Sequence, residues 1–400
     1  MSDSPLTTST PPGTGRRDQQ HKTSHRPAAA ATGSLARSLG TGRTVTVAVL
    51  AVLLVLPFYL ESFWLQLGLF IFATAVAALG MTLLLGQVGM LSLGHAFFVA
   101  LGAYGYTYFA ADGVDGAHGW SGLGLPPVLA AVLAVGLAGV AGLLFSPVAA
   151  RLRGIYLGIA SLGLVYVGQH VLVNAETLTG GVNGRDVPGF SALGLNFEDT
   201  PGQTLFVLGV PFQREERLWY LALGTLLAAL VCYRLLVRSR TGRALRGIRD
   251  HEVAAAVMGV DVVRYKAYAF LMSSMFAAAG GVLLALAFRR IIPETFGAAL
   301  SIEYLAMVVI GGIGSASGAA FGAAFVTSLP PVLERYATQL QGAESTGGLS
   351  AAVIAKFVYG AAIVLVIIFQ PGGMASVGTR IRRIAERRRV RRHNAPEPTT

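Results

Sequence analysis

The chain has 400 residues, of which 54% are hydrophobic and only 13% charged, about half the charged share of an ordinary soluble domain. Too few polar side chains are present to cover a water-soluble globule of this size, so composition excludes an ordinary soluble domain, a disordered chain, a collagen and a coiled coil. The 50 glycines and positive mean hydropathy of +0.61 point instead to an all-α polytopic membrane protein, because membrane helices use glycine to bring backbones together.

Residues 1–43 are rich in Ser, Thr, Pro, Gly and Ala, carry six basic residues and show no apolar period, so they read as a disordered basic tail. Apolar runs suited to crossing the membrane follow at 44–60, 63–85, 90–110, 125–149, 154–175, 217–237, 267–288, 300–334 and 351–369. The single cysteine, Cys232, lies in one of them and permits no intrachain disulfide. It reads as a small lipid- or helix-facing side chain.

Nine crossings would put the arginine-rich tail, 376–400, opposite the basic N-terminal tail, against the positive-inside rule. The conflict disappears if 300–334 is two short spans, 300–312 and 318–334, broken at the Gly/Ser cluster Gly311 to Gly318. The ten spans of the permease domain, 44–375, then leave both termini cytoplasmic, with 24 of the 31 Lys and Arg inside. Most acidic residues fall outside. The largest external segment, 176–216, contains two apolar patches that suit a hairpin or short helix.

The cytoplasmic segment 239–266 is basic in its first half and Ala-rich in its second. A helix is predicted over 251–258, with Asp250 and Glu252 suited to its first turn and Gly259 to its end. Val253, Ala256 and Val257 share one face. This is the form of a docking element for a soluble partner, the alternative being a basic loop without one.

Gln87, Ser92 and His95 lie among Gly86, Gly89 and Gly94 within apolar sequence. A polar side chain there is costly unless it meets a partner helix or a watery cavity, and the glycines permit a broken or re-entrant backbone. The segment reads either as a pathway element or as a packing motif in which His95 donates to a neighbouring carbonyl. Asn183 suits a tight external turn, and Glu303 either pairs with Arg289 or Arg290 or lines the pathway.

The order Glu252-x-Ala254-Ala255-x-x-x-Gly259 resembles the EAA loop of ABC importer permeases. Gly86-Gln87-Val88-Gly89-Met90-Leu91-Ser92-Leu93-Gly94-His95-Ala96, Arg153-Gly154-Ile155-Tyr156, Leu178-Thr179-Gly180-Gly181-Val182-Asn183-Gly184 and Gly242-Arg243-Ala244-Leu245-Arg246-Gly247-Ile248-Arg249 extend the match. Val308 to Ser315 and Pro371-Gly372-Gly373 continue it. Together, over about 45–375, the chain resembles branched-chain amino acid ABC transporter permeases, most closely the M-type subunit of the pair; its two tails are outside that pattern.

The resemblance implies a multi-pass protein of the bacterial plasma membrane. A second homologous permease, two ATP-binding subunits docking on 239–266 and an extracytoplasmic substrate-binding protein would complete the transporter. It puts Arg246, Asp250, Glu252, Ala254, Ala255 and Gly259 in the ATPase-coupling loop, and makes Gln87, Ser92, His95, Tyr156, Asn183 and Glu303 candidates for the pathway.

No Gly-x-x-x-x-Gly-Lys-Ser/Thr run occurs, so no cofactor is expected in this chain and ATP and Mg would be bound by partner ATPases. Catalytic motifs and metal ligands are likewise not expected. The arginine-rich tail reads as an anchor on anionic membrane lipids rather than a nucleic-acid binder. A urea or short-chain amide importer permease remains an alternative, as does an ion-coupled secondary transporter, which would need no docking loop.

Overall fold

The computed structural model describes residues 47–113, 121–192, 195–197, 205–207, 210–341 and 351–369; the tails 1–43 and 376–400 lie outside them. Residues 47–55 are the described part of an N-terminal unit and are helical, and the chain from Leu56 onward forms a second unit. In chain order the helices are α1 (Val47–Phe58), α2 (Ser62–Thr82), α3 (His95–Ala110), α4 (Pro127–Arg151), α5 (Ile155–Asn174) and the single turn α6 (Glu176–Thr179). After these come α7 (Arg214–Arg238), α8 (Arg240–Asp250), α9 (Glu252–Val257), α10 (Val262–Phe288), α11 (Ala298–Gly311), α12 (Ala316–Gln341) and α13 (Ala351–Phe369). The protein is an all-α polytopic membrane protein.

Helices stand on all nine predicted apolar runs, and six among the described residues are long and apolar enough to cross a membrane by length and composition. The run 300–334 is broken as its glycines require. α11 ends at Gly311, Gly312 and Gly314 take φ 109° and 85°, and α12 begins at Ala316. α12 is longer than the predicted 318–334 and passes through Pro330 and Pro331 without ending.

The core lies where α10 packs against α2, α3 and α4. In α2 with the turn that follows it 89% of the apolar window is buried and in α10 78%, against 28% for each of α4, α5, α7 and α12, so the first two are central and the other four peripheral. Lipid is as apolar as leucine, and helices associate in it through close packing rather than a hydrophobic drive. The contacts reflect this. A Cβ on Gly280 would lie 2.7 Å from Ala77 Cβ, and one on Gly281 would collide with the Val99 carbonyl. Gly102 approaches Ala278 in the same way, since a Cβ on it would lie 2.5 Å from the Ala278 Cα. Thr74 and Thr327 add a hydroxyl–hydroxyl bond of 2.9 Å between α2 and α12.

The described residues of the predicted external segment form the turn α6, a tight helical turn at Gly181–Asn183, short antiparallel strands and the start of α7. β1 (Arg185–Asp186) pairs with the distant β6 (Arg290–Ile291), while β2 (Ser191–Ala192) pairs with β3 (Leu195–Asn196) and β4 (Leu205–Val207) with β5 (Val210–Phe212), all antiparallel. The β1–β6 pairing ties the start of this segment to the end of α10. Gly180, Gly181 and Gly184 all have positive φ, as the predicted turn at Asn183 requires.

Replacing Gly281 by Leu drives a side chain into the α3 backbone, and overpacking of this kind costs about 1–3 kcal/mol or more. Gly281→Leu is expected to lower the thermal midpoint of the detergent-purified protein. Gly224→Leu, at an exposed site with open space around it, is expected to leave that midpoint unchanged.

Candidate functional site

The segment 239–266 folds as two helices rather than one. Ser239 caps α8, its Oγ accepting from the Gly242 amide at 3.3 Å. α8 then runs to Asp250, which pairs with Arg249 at 3.0 Å. Asp250 therefore closes α8 and does not sit in the first turn of the next helix, a correction to the expectation from sequence. Its neighbour His251 is extended, φ −154° and ψ 96°, and starts a new helix there. Glu252 opens α9, and Gly259, φ 86°, ends it, with the Val260 amide reaching back to Ala255 O at 3.0 Å.

α9 rests on Ala255, which is buried, and turns its remaining apolar residues outward. Val253, Val257 and Met258 are 70%, 84% and 85% exposed, with Ala254 and Ala256 beside them. Glu252 holds the helix in place: it bonds Lys266 Nζ at 2.8 Å and Arg153 at 3.4 Å. The Lys266 side chain is only 4% exposed, so removing Glu252 would leave a buried cation without this partner. Arg246 returns to the Gly242 and Val237 carbonyls at 3.3 and 3.4 Å and fastens α8 to the end of α7.

α8 also reaches the glycine-rich segment 86–95. α2 continues as a π-helical turn, Leu83–Val88, which ends at Gly89 with φ 76°. Arg249 Nη1 donates to the Gly86 carbonyl at 2.7 Å, and a Cβ on Gly89 would meet Arg249 Cγ at 2.9 Å. On its other side Gly86 lies against Gly314 in the α11–α12 turn, so closely that a Cβ would lie 2.5 Å from the Gly314 nitrogen. Gln87 Nε2 donates to Gly314 O at 3.2 Å and to Tyr233 Oη at 3.3 Å. α8, the π turn, α7 and the α11–α12 turn thus meet at one point.

From Gly89 to Gly94 the backbone leaves helical geometry. His95 Nε2 donates to Ala77 O at 2.8 Å, so α3 starts beside a residue eleven positions before Val88, roughly 16 Å back along α2 at 1.5 Å per residue. Six extended residues span up to about 20 Å and cover that distance. The chain therefore turns back into the bundle and begins α3 at mid-depth, as the glycines allowed.

A helix that starts at such depth exposes amide donors no water can reach. Serines from two other helices supply the acceptors. Ser161 of α5 accepts from Leu93 N at 2.8 Å, and Ser301 of α11 accepts from Ala96 N at 2.9 Å. Ser92 accepts from Gly94 N at 3.3 Å. The His95 ring lies edge-on to Tyr304, 5.1 Å between centroids.

Gln87, Ser92 and His95 are all buried and each is bonded within the chain, but they stand apart: Gln87 at the α11–α12 turn and His95 beside Ala77, farther back along α2. Tyr156, at the start of α5, is 70% exposed. Asn183 is exposed in the external turn, and Glu303 is exposed on α11 between Ser301 and Tyr304, the residues of that helix that meet the segment. Arg290 does not pair with Glu303; it bonds Asp186 at 3.2 Å and the Asn183 carbonyl at 3.0 Å. Sequence reasoning did not single out Ser161 or Tyr233, and it foresaw no contact for Arg249, Ser301 or Gly314. A lone Ser in an apolar run was the available signal for two of them.

Leaving a buried amide without its acceptor costs about 1–3 kcal/mol. Ser161→Ala and Ser301→Ala are each expected to destabilise the detergent-purified protein by about that amount, and Ser328→Ala, whose hydroxyl bonds only its own helix at 3.4 Å, by clearly less; denaturation midpoints measure all three.

Comparison with known proteins agrees with this geometry. Residues 63–368 match the family described as "Branched-chain amino acid transport system / permease component". The chain is 32% identical over 278 residues to the high-affinity branched-chain amino acid transport system permease protein LivM of Escherichia coli, covering 67% of this chain and 63% of that protein. LivM of Salmonella typhimurium is 33% identical over 249 residues, 60% of this chain and 56% of that one. The permease protein LivH of E. coli is 27% identical over 253 residues, 62% and 77% of the two chains. The matched region thus spans less than two thirds of the LivM lengths. The family match covers most of the chain and all of the site, and the chain belongs to the branched-chain amino acid transport system permease family.

Proposed function

We propose that this chain is a permease subunit of an ATP-driven importer for branched-chain amino acids in the bacterial plasma membrane, with both termini cytoplasmic. One observation carries the reading. An apolar, outward-facing helix, α9, is held on a charged pivot and connected through α8 to a broken membrane segment. A secondary transporter has no use for such an element, whereas a permease moved by a soluble ATPase requires one.

In this reading two ATP-binding subunits supply ATP and Mg, and one of them seats Val253, Val257 and Met258 of α9 in an apolar cleft. Arg249 passes the displacement to Gly86, and the π turn passes it to Gly89–Gly94 and α3. A second homologous permease completes the pathway, and an external binding protein delivers the solute to the 176–216 side. The kinship to LivM and LivH supports branched-chain amino acids over urea or amides.

The test is purification of the tagged chain from its native membrane, followed by ATPase assay with binding protein loaded with leucine, valine or urea. Copurification of two ATPases and a second permease, with hydrolysis stimulated by leucine or valine, is expected. A lone chain that takes up solute with an ion gradient contradicts the reading. Breaking a buried pair costs about 3–5 kcal/mol, so Glu252→Lys is expected to abolish stimulated hydrolysis. The double variant Glu252→Lys/Lys266→Glu restores part of it.

A further inference from the structure

Three of the peripheral helices, α4, α5 and α7, expose long faces, and only one of those faces is unsuited to lipid. Short of the terminal Arg151, every exposed residue of α4 is apolar, Val132, Val140 and Leu144 among them, and its one hydroxyl, on Ser146, is buried. The exposed positions of α7 from Gly224 to Cys232 are equally apolar. α5 differs. Tyr156, Ile159, Gly163, Tyr166, His170 and Asn174 recur every three or four residues along one exposed face, the spacing of a single helical stripe.

Four of these six side chains form hydrogen bonds by nature; Asn174 and His170 bond each other, while Tyr156 and Tyr166 turn their hydroxyls away from the bundle. Tyr156 and Tyr166 are 70% and 58% exposed. The Asn174 amide turns back onto the His170 carbonyl at 2.7 Å. Polar groups within a span face a partner helix or a water-filled cavity, since hydrocarbon cannot solvate them. The opposite face of α5 carries Ser161, which caps Leu93 of the broken segment, so this stripe and the moving element stand back to back on one helix.

We infer that this face of α5 is a wall of the solute path, turned toward the second permease subunit. Tyr166 and Asn174, on either side of His170 and about 12 Å apart along the helix, hydrogen-bond a small solute of no net charge in succession as it passes, and Ile159 and the tyrosine rings contact its aliphatic part farther along the path. Tyrosine and asparagine carry no charge at neutral pH, and no acidic or basic group other than His170 lies on the stripe. Such a wall offers donors and acceptors to a zwitterion without trapping an ion. The inference rests on the importer reading and adds where the solute runs and what touches it.

The experiment uses the whole complex in lipid vesicles, with Cys232→Ser removing the native thiol. Single cysteines replace Tyr166, Asn174 and, on the apolar face of α4, Val132, and each is exposed to a charged, water-soluble methanethiosulfonate. The reactive species is the thiolate, which hydrocarbon suppresses. Tyr166→Cys and Asn174→Cys are therefore expected to label roughly tenfold or more faster than Val132→Cys, and leucine with its binding protein should slow the labelling. Gly163→Trp is expected to abolish uptake while the subunits still copurify. Equal inertness of Tyr166→Cys and Val132→Cys in a complex that imports leucine overturns the inference and leaves the importer reading standing. Labelling that leucine does not affect overturns the solute contacts. Failure of the Cys232→Ser chain to copurify with ATPases overturns the importer reading, and the inference falls with it.

Discussion

A backbone that stops being helical inside a membrane has to satisfy its own polar groups, and the rest of this structure is arranged around that requirement. Between Gly89 and Gly94 no helical ladder supplies acceptors, and water does not reach mid-depth. Ser161 and Ser301 come from α5 and α11 to take the free amides, and His95 locks the start of α3 to Ala77. Four elements, α2, α3, α5 and α11, are thereby held to one short stretch. An interrupted helix has more conformational choice than a continuous one. It is therefore a natural place for two arrangements of the bundle to interconvert.

Interconversion needs a handle, and α8 provides it. The Gly86 carbonyl belongs to a π turn, whose i→i+5 pattern is less regular than the α-helix on which it is built. Arg249 holds that carbonyl with a charged donor, a stronger bond than one between neutral groups. Gly86 lies too close to the Gly314 backbone to carry a Cβ, and Gly314 takes φ 85°, which favours glycine. In the proposed importer a displacement of α9 would pass through a bonded and tightly packed chain of groups rather than through loose side chains. The central helices α2 and α10 are packed closely by glycine and alanine.

Much of this was legible in the sequence because membrane insertion imposes simple rules. Apolar length located the helices, and the glycine and serine cluster at Gly311 to Gly318 announced the break between α11 and α12. The glycines at 86, 89 and 94 announced the interruption of the second span. Gly259 marked the end of α9, and the shared face of Val253, Ala256 and Val257 proved to be the exposed one. The division of 239–266 into two helices was not legible, since His251 has no strong helix-breaking signal and Asp250 suits either helix. Nor were Ser161 and Ser301, because isolated serines are common in membrane helices and only tertiary contact selects the two that cap. Arg249 lay within a recognised basic motif, but its target, Gly86, is 163 residues away, and no local pattern reports such a contact.

The central claim is that movement of the docking loop reaches the interrupted segment through Arg249 and Gly86. Hydrogen exchange of peptides covering Leu83–Phe98 tests it most directly, measured on the intact complex with and without trapped ATP, in the wild-type chain and in Arg249→Gln. Nucleotide is predicted to alter exchange across Gly86–Ala96 in the wild type and to leave it unaltered in Arg249→Gln, although both bind the ATPases. The same change in both chains, or none in the wild type, would contradict the claim.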